Sequence, residues 1–396
     1  MMKKNIKNFY RIIKVRVKRT ASNIGLLRQL RHRNYVRKNE RNKKLYNFIL
    51  ADEFIEKCKT GKKTENINDY YIHLYEFEDA YISNCKNCAF VQKVIDGQLY
   101  TLKESAGVIG RLDEPVMQYA PPYDLTKNNQ KEDEVCMLCY LLGENYWHYI
   151  FDIIPRLMIM LKRGFKGKFL INNTWCARTF MDLLKMPAER LIINDCGTVI
   201  HASKVYLFSE MYGIELHGQL LEDTRNFLIS EAEKNYGPLE DNSYPKRIYV
   251  PRVARRKIIN EQEIIELLKY YGFSIMVPEK CCIHEQMKYF YNADIIVTPH
   301  GANCANLLFT KEGASMVECF GHMWVNPCMI NTIALLETDY HMVCERLADY
   351  SKDAHKFSDY KINPLIMECT IKRIIEFRAL AYDEELKIGP QPESKS

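Results

Sequence analysis

From residue 247 to residue 320, short runs rich in branched apolar residues alternate with segments of helical periodicity. This alternation constrains the fold more than any other feature of the chain. Residues 247–250 (RIYV) read as a strand. Residues 260–271 read as a helix: Asn260 stands at its N-cap with Glu263 three residues on, Ile259 and Ile264 are spaced as a hydrophobic staple, and Gly272 follows the last turn. Residues 273–277 form the next strand, 285–292 the next helix and 294–298 the strand after it. A helix over 303–309 and a strand over 316–320 complete a β-α-β-α-β-α-β series. Right-handed crossovers turn such a series into half of a doubly wound parallel sheet.

The upstream half is less regular. Residues 70–103 hold β-like pieces (YYIHLYEF, AFVQKVI, GQLYTL) broken by Asn, Gly and Lys. A charged stretch, 125–134, separates them from an apolar run, 135–142. KFLINN, RLIIND and KVYLF then alternate with helix candidates as far as residue 235, the pattern of a further α/β lobe. Residues 237–245, with their Pro, Asn and Ser, read as a linker. At roughly 150 residues per domain, 396 residues suit two lobes and an appendage. We expect a basic amphipathic helical extension over 1–60, an N-terminal lobe over 61–240, a C-terminal lobe with a C-terminal helix over 241–396, and a disordered tail from 388 onward.

The net charge is +6, but the first 50 residues hold sixteen Lys/Arg against one acid, so the rest of the chain is acidic on balance. Ile6, Phe9, Tyr10, Ile13 and Val17 recur at helical spacing with Lys3, Lys7, Arg11, Lys14 and Lys18 on the other faces. Such a basic amphipathic helix, spanning residues 3–19, suits an anionic membrane surface. Packing against the rest of the protein and binding to nucleic acid are the alternatives, the last disfavoured because no interleaved aromatic platform accompanies the charges. No run approaches the ~18 apolar residues of a membrane span, and no apolar core of a secretory signal follows the basic N-terminus. Fourteen cysteines in such a chain point to a reducing compartment. The expected location is cytoplasmic, peripheral to the inner face of the membrane. Cys85-x-x-Cys88 and Cys136-x-x-Cys139 lie too far apart in sequence for a zinc ribbon, and the second pair sits in an apolar run. No metal site is expected.

In open parallel sheets ligands bind beyond the carboxyl ends of the strands. Arg252 follows the strand RIYV, His300-Gly301-Ala302 follows DIIVT, and Glu318 lies within MVECF. An Arg beside a small-residue turn that opens a helix makes a phosphate cradle, and a carboxylate one strand over suits a ribose. Together they suggest a nucleoside diphosphate. Neither GxxxxGK[ST] nor GxGxxG occurs, which argues against a P-loop NTPase or a standard dinucleotide enzyme. A second candidate site is the run from Asn145 to Arg156, where i,i+4 spacing puts His148 and Asp152 on one helix face, a carboxylate orienting an imidazole for general-base work. Either a purely structural pair or a catalytic one, with either residue as the base, fits the spacing.

The run NYWHYIFDIIPRL, then RIYVPRVARRKIINEQEI, GFSIMVPEK and IIVTPHGANCANLLFTKEGASMVECF, in that order between residues 135 and 344, resembles glycosyltransferase family 61. The resemblance implies a GT-B architecture, two Rossmann-like lobes facing across a cleft, with the nucleotide-sugar on the C-terminal lobe and the acceptor on the N-terminal lobe. It implies inverting transfer from a UDP-sugar and a place in capsular or surface polysaccharide assembly. It makes Arg252, His300, Gly301, Ala302 and the adjoining Asn303 donor contacts, Glu318 the ribose contact, and Asn260-Glu261 a matched pair on the donor lobe. It sets His148 and Asp152 in the N-lobe motif. No Asp-x-Asp occurs, so metal-independent transfer is expected, onto a glycan or lipid-linked glycan. The alternative is a non-catalytic carbohydrate- or nucleic-acid-binding protein of the same fold.

Overall fold

A computed structural model describes residues 48–49, 51–58, 61–64, 70, 72–85, 88–102, 125, 129–209, 218–345 and 357–387. The basic segment at 3–19 and the tail from 388 lie outside the described residues. Among them, fourteen strands form two sheets.

The first sheet holds β1 (Phe48–Ile49), β2 (Gly61–Thr64), β3 (Leu74–Cys85), β4 (Cys88–Ile95), β5 (Gln98–Leu102), β6 (Asn129–Met137), β7 (Lys168–Ile171), β8 (Leu191–Ile193) and β9 (Val199–Phe208), in the order β1-β5-β4-β3-β9-β6-β7-β8 with β2 also on β3. β3, β4 and β5 form an antiparallel meander, while β9, β6, β7 and β8 run parallel to one another. The sheet is therefore mixed, and only its β6–β9 half has the parallel character expected of a Rossmann-like lobe. The charged residues 129–134, read from sequence as a spacer, are the first two thirds of β6. Glu134 stands opposite Lys204 of β9, and Glu132 meets Lys168 of β7 at 2.8 Å, so opposite charges pair across strands where apolar residues would otherwise mark a strand.

The second sheet is all parallel: β10 (Arg247–Tyr249), β11 (Ser274–Ile275), β12 (Ile295–Pro299), β13 (Ser315–Phe320) and β14 (Asp339–Cys344), in the order β11-β10-β12-β13-β14. β14 carries Asp, His and Met on a sheet edge and gave no apolar signal in the sequence. The strand order reverses between β10 and β12, which makes the carboxyl ends of these two strands the topological switch point.

Eight α-helical segments accompany the sheets among the described residues: α1 (Ala51–Cys58), α2 over 146–162, α3 (Trp175–Leu183), α4 (Gly218–Tyr236), α5 (Glu261–Tyr270), α6 (Ile283–Asn292), α7 (Ile330–Leu335) and α8 (Pro364–Lys387). The expected helix after β12 is a 3-10 helix, Ala302–Phe309. α2 changes pitch: Tyr146–His148 is α-helical, Tyr149–Ile153 makes a π turn in which the Ile154 N–H reaches back to the Tyr149 carbonyl, and Ile154–Lys162 is α-helical again. Pro155 lacks the N–H that an unbroken α ladder would need there, and one extra residue in the turn accommodates the gap.

The fold is five layers deep. Leu138, Phe169 and Ile171 of the first sheet and Ile248, Val250, Ile296 and Met316 of the second share one core with Ile150, Ile154 and Leu157 of α2, Leu228 of α4, Phe290 of α6 and Leu307 of the 3-10 helix. Most of α2 is buried, including the charged Asp152 and Arg156, which fall on one face with the partly exposed His148. The outer face of the first sheet packs on α1, with Phe54 edge-on to Phe77. The outer face of the second takes Tyr249, Val297 and Val317 against α5 and α8. Neighbours Ile248 and Tyr249, or Ile296 and Val297, go to opposite faces, as a two-residue period requires. Cys136 and Cys139 likewise lie in different layers, so the four thiols of the two C-x-x-C pairs do not converge.

The capping motif at Asn260 differs from its sequence reading. Ile258, not Ile259, packs with Ile264, because residue 258 pairs with Tyr360 and turns its neighbour outward. Asn260 makes no side-chain cap bond; its amide donates to the Ile362 carbonyl at 2.9 Å and accepts from the Ile362 N–H at 3.1 Å, pinning the chain that leads into α8.

A core shared by both sheets unfolds as one unit. We expect Phe290→Ala to cost ~3–5 kcal/mol and to shift tryptophan fluorescence and far-UV circular dichroism together in urea; separate transitions would show that the sheets fold independently.

Candidate functional site

The carboxyl ends of β10 and β12 bring two segments together. Arg252, three residues past β10, donates from Nη1 to the His300 carbonyl at 2.9 Å and from Nε to the Arg255 carbonyl. A Cβ on Gly301 would lie 1.5 Å from Arg252 Nη1, so only glycine allows the approach. Its backbone is extended, and space rather than conformation sets the requirement. Thr298, buried beneath, donates to the Val250 carbonyl at 3.1 Å and ties the two strand ends together. No side chain caps the 3-10 helix that starts at Ala302, so its first N–H groups are open to another acceptor.

Arg256 completes the cluster. The sequence run Arg255-Arg256-Lys257 reads as a solvated patch, but only part of it is: Arg255 stacks on Phe357, while Arg256 is half-buried beside Arg252. Burial disfavours the charged form of both guanidiniums, and for Arg256 the Arg252 charge adds to the effect. Arg256 Nε is buried with no hydrogen-bond partner among the described residues, and its backbone holds a left-handed φ of 60° that a non-glycine residue adopts only at a cost. Two desolvated cations next to each other, without a salt-bridged carboxylate among the described residues, form a site for an anion.

Under this turn lies a buried polar group. His300 Nδ1 meets Glu318 Oε1 at 2.5 Å, Cys304 Sγ donates to the same oxygen at 3.2 Å, and Tyr340 on β14 donates to Glu318 Oε2 at 2.7 Å. Glu318 is 1% exposed. Both its oxygens are taken by protein donors, so it supports the His300 ring instead of presenting a carboxylate to a ribose. These three side chains also come within 4.8 Å of one another in a metal-ligand combination. Burial and the Glu318 charge push the Cys304 thiol up, in keeping with its donating to Glu318. The His300 ring stacks on Phe320 at 4.8 Å.

His148 Nδ1 and Asp152 Oδ2 lie 2.7 Å apart, the His side chain 18% exposed and the Asp side chain fully buried. The π turn falls between them, yet the i,i+4 contact survives. Flanking residues clamp this end of α2 to the second sheet: Tyr146 donates to Asn306 of the 3-10 helix at 2.5 Å, and Trp147 Nε1 approaches Met329 Sδ at 3.3 Å. Asn303 lines a cavity beside the 3-10 helix. Asn260 and Glu261 are engaged elsewhere: Asn260 holds Ile362, and Glu261 accepts from Tyr249 at 2.8 Å on the outer face of the sheet.

Residues 146–317 match the family model described as Glycosyltransferase 61. The match supports glycosyltransferase family 61. The matched segment is 172 of the 396 residues, and its description names a glycosyltransferase. No curated protein matches the chain. A solved structure, the rubredoxin oxygen:oxidoreductase from the anaerobe Desulfovibrio gigas, is similar at a TM-score of 0.24 and 10% identity over 61% of this chain and 52% of that one. The chain thus spans about half the length of that protein, and a likeness at this level carries no argument.

The matched segment contains Arg252, Arg256, His300, Gly301 and Cys304, while Glu318 and Tyr340 lie just beyond it; sequence reasoning passed over three members of the two clusters. Arg256 was hidden in a basic run, Tyr340 lies on the unpredicted edge strand, and Cys304 looked like ordinary core. The signal for Arg256 was its place: like Arg252, it follows the strand that begins the sheet.

If the Arg252–Gly301 approach builds the anion site, Gly301→Ala displaces the guanidinium. One charge-assisted bond is worth ~1.5–3 kcal/mol, so inorganic pyrophosphate should bind about 10- to 100-fold more weakly by calorimetry with little change in melting temperature. Unchanged pyrophosphate affinity would exclude this site.

Proposed function

We propose that the protein is an inverting, metal-independent glycosyltransferase of GT-B type that moves a sugar from a nucleotide donor, a UDP-sugar, onto a glycan of surface or capsular polysaccharide, the acceptor carried on a lipid. One observation carries the reading: two half-buried guanidiniums, Arg252 and Arg256, with no salt-bridged carboxylate among the described residues, at the strand switch point against the glycine that opens the 3-10 helix.

Inverting transfer is a single displacement. The acceptor hydroxyl oxygen bonds to the anomeric carbon as the bond to the diphosphate oxygen breaks, and the hydroxyl proton must leave to a base. His148 takes that role in our reading, because its ring is partly exposed whereas Asp152 is sealed in the core. Asp152 acts through it: a carboxylate on Nδ1 holds the proton there and leaves the Nε2 lone pair for the acceptor. The departing diphosphate gathers negative charge, which Arg252, Arg256 and the open N–H groups at Ala302 and Asn303 stabilise without a divalent cation. Glu318 orients His300 beside the same group. The basic segment at 3–19 would dock the enzyme at the cytoplasmic face of the membrane next to a lipid-linked acceptor; flotation with anionic liposomes, abolished by removing residues 1–20, tests this.

The decisive measurement is thermal shift with UDP, GDP and CDP, with and without EDTA. At 100-fold excess over Kd a ligand adds ~2.7 kcal/mol. We expect UDP to raise the melting temperature regardless of EDTA, and Arg252→Ala to abolish the rise. His148→Ala should retain the rise and lose about 10²- to 10⁴-fold in turnover. Stabilisation by none of the nucleotides would overturn the transferase reading, and an EDTA-sensitive shift would overturn metal independence.

A further inference from the structure

A cavity of about 450 Å³ opens between the two sheets beside the anion cluster. This volume falls within the ~300–1,000 Å³ of small-molecule sites. One wall comes from Tyr146, at the start of α2, and from Trp175 and Asp182 of α3. The other comes from Glu279, in the loop after β11, and Asn303. β11 lies next to β10, so this loop and Arg252 share one end of the sheet, and the Glu279 charge acts on Arg252.

Apart from Pro278, Ile283 and two cysteines, two kinds of group in the lining bear on a ligand. Trp175 is the first residue of α3, held by the Thr174 cap, and its ring lies parallel to Tyr146 at 6.0 Å; 51% of it stays exposed. Around it stand carboxylates and an amide. Asp182 is fixed by Lys185 at 3.2 Å and Tyr236 at 3.0 Å, contacts that hold its carboxyl below the usual range and so charged. Glu279 is exposed and has no hydrogen-bond or ion-pair partner among the described residues. A half-exposed indole with two carboxylates and an amide repels phosphate and matches a ring with an apolar face and a rim of hydroxyls.

The walls are set before any ligand arrives. Gln286 donates to the carbonyls of Pro278 at 3.0 Å and Cys281 at 3.1 Å, accepts from Asn306 at 3.1 Å, and Asn306 accepts from Tyr146. This buried chain fastens the loop after β11 to α2 across the two sheets, so a ligand meets a formed surface.

We infer that this cavity is a pyranose subsite, in which a sugar ring stacks on Trp175 and its hydroxyls donate to Asp182 and Glu279. The inference rests on the transferase reading only for which sugar fills it, that of the acceptor or that of the donor. Saturation-transfer NMR with methyl β-D-glucoside and methyl N-acetyl-β-D-glucosaminide, on the full chain with and without UDP, tests it directly. The wild type should show transfer to ring protons with at least one glycoside. Trp175→Ala should abolish it, Trp175→Phe restore it in part, and Glu279→Gln weaken it several-fold, while UDP binding by thermal shift stays the same in the two Trp175 variants.

Glycoside binding that persists with a UDP-sugar bound identifies the acceptor's sugar; competition with the UDP-sugar but not with UDP identifies the donor's. Equal glycoside signals in wild type and Trp175→Ala, or none in wild type, would overturn the inference. So would loss of UDP binding in Trp175→Ala, which would assign the cavity to the base. Glycosides bound by a protein that ignores every nucleotide would leave the subsite standing and remove the transferase.

Discussion

Everything in this protein leans on a helix whose large apolar side chains are packed between the two sheets. α2 carries Ile150, Ile153, Ile154, Leu157, Met158 and Ile159 into one core between the sheets, each large side chain contributing ~1.5–3 kcal/mol when removed from water. Both sheets turn their inner faces to that layer, which α2 shares with α4, α6 and the 3-10 helix. The linker between α4 and β10 therefore joins two parts of the chain that contribute to one core cluster. The first turn of α2, where Tyr146, Trp147 and His148 sit, is held from both sides at once. A polar pair such as His148 and Asp152 survives in such surroundings only if it is hydrogen-bonded, and the 2.7 Å contact meets that condition.

The electrostatics of the second sheet follow from where its strands end. Parallel strands place the residues that follow β10 and β12 at one edge, and two arginines arrive there together. Most buried cations in a folded protein are matched by a carboxylate. Among the described residues Arg252 and Arg256 have no salt-bridged carboxylate, although Glu318 is only one strand away, because that carboxylate is committed to His300, Cys304 and Tyr340. The arrangement separates an unneutralised positive edge from a satisfied negative layer beneath it, and the glycine at 301 lets the guanidinium rest directly on the backbone.

The cavity between the sheets is part of the same construction. Two of its lining residues, Tyr146 and Gln286, are joined through Asn306 by the hydrogen bonds that also fasten the first turn of α2 to the second sheet. The residues that make a binding surface and those that make the interface between layers are therefore largely the same.

The parallel sheet was legible from sequence because its strands are fully buried runs such as IIVT and MVECF, separated by helices with apolar stripes. The i,i+4 relation of His148 and Asp152 was legible because neighbours on a helix are set by the period alone. β14 and the first part of β6 were not, because an edge strand and a strand braced by Glu134–Lys204 pairing carry no apolar signature. Nor could sequence tell that Glu318 faces His300 instead of a ligand, that Arg256 is drawn in while Arg255 stays out, or that Trp175 stands over a cavity with Glu279 more than a hundred residues away. Local periodicity is written in the order of residues; which side chains meet across layers depends on how the sheets pack, and that is decided only when the shared core closes.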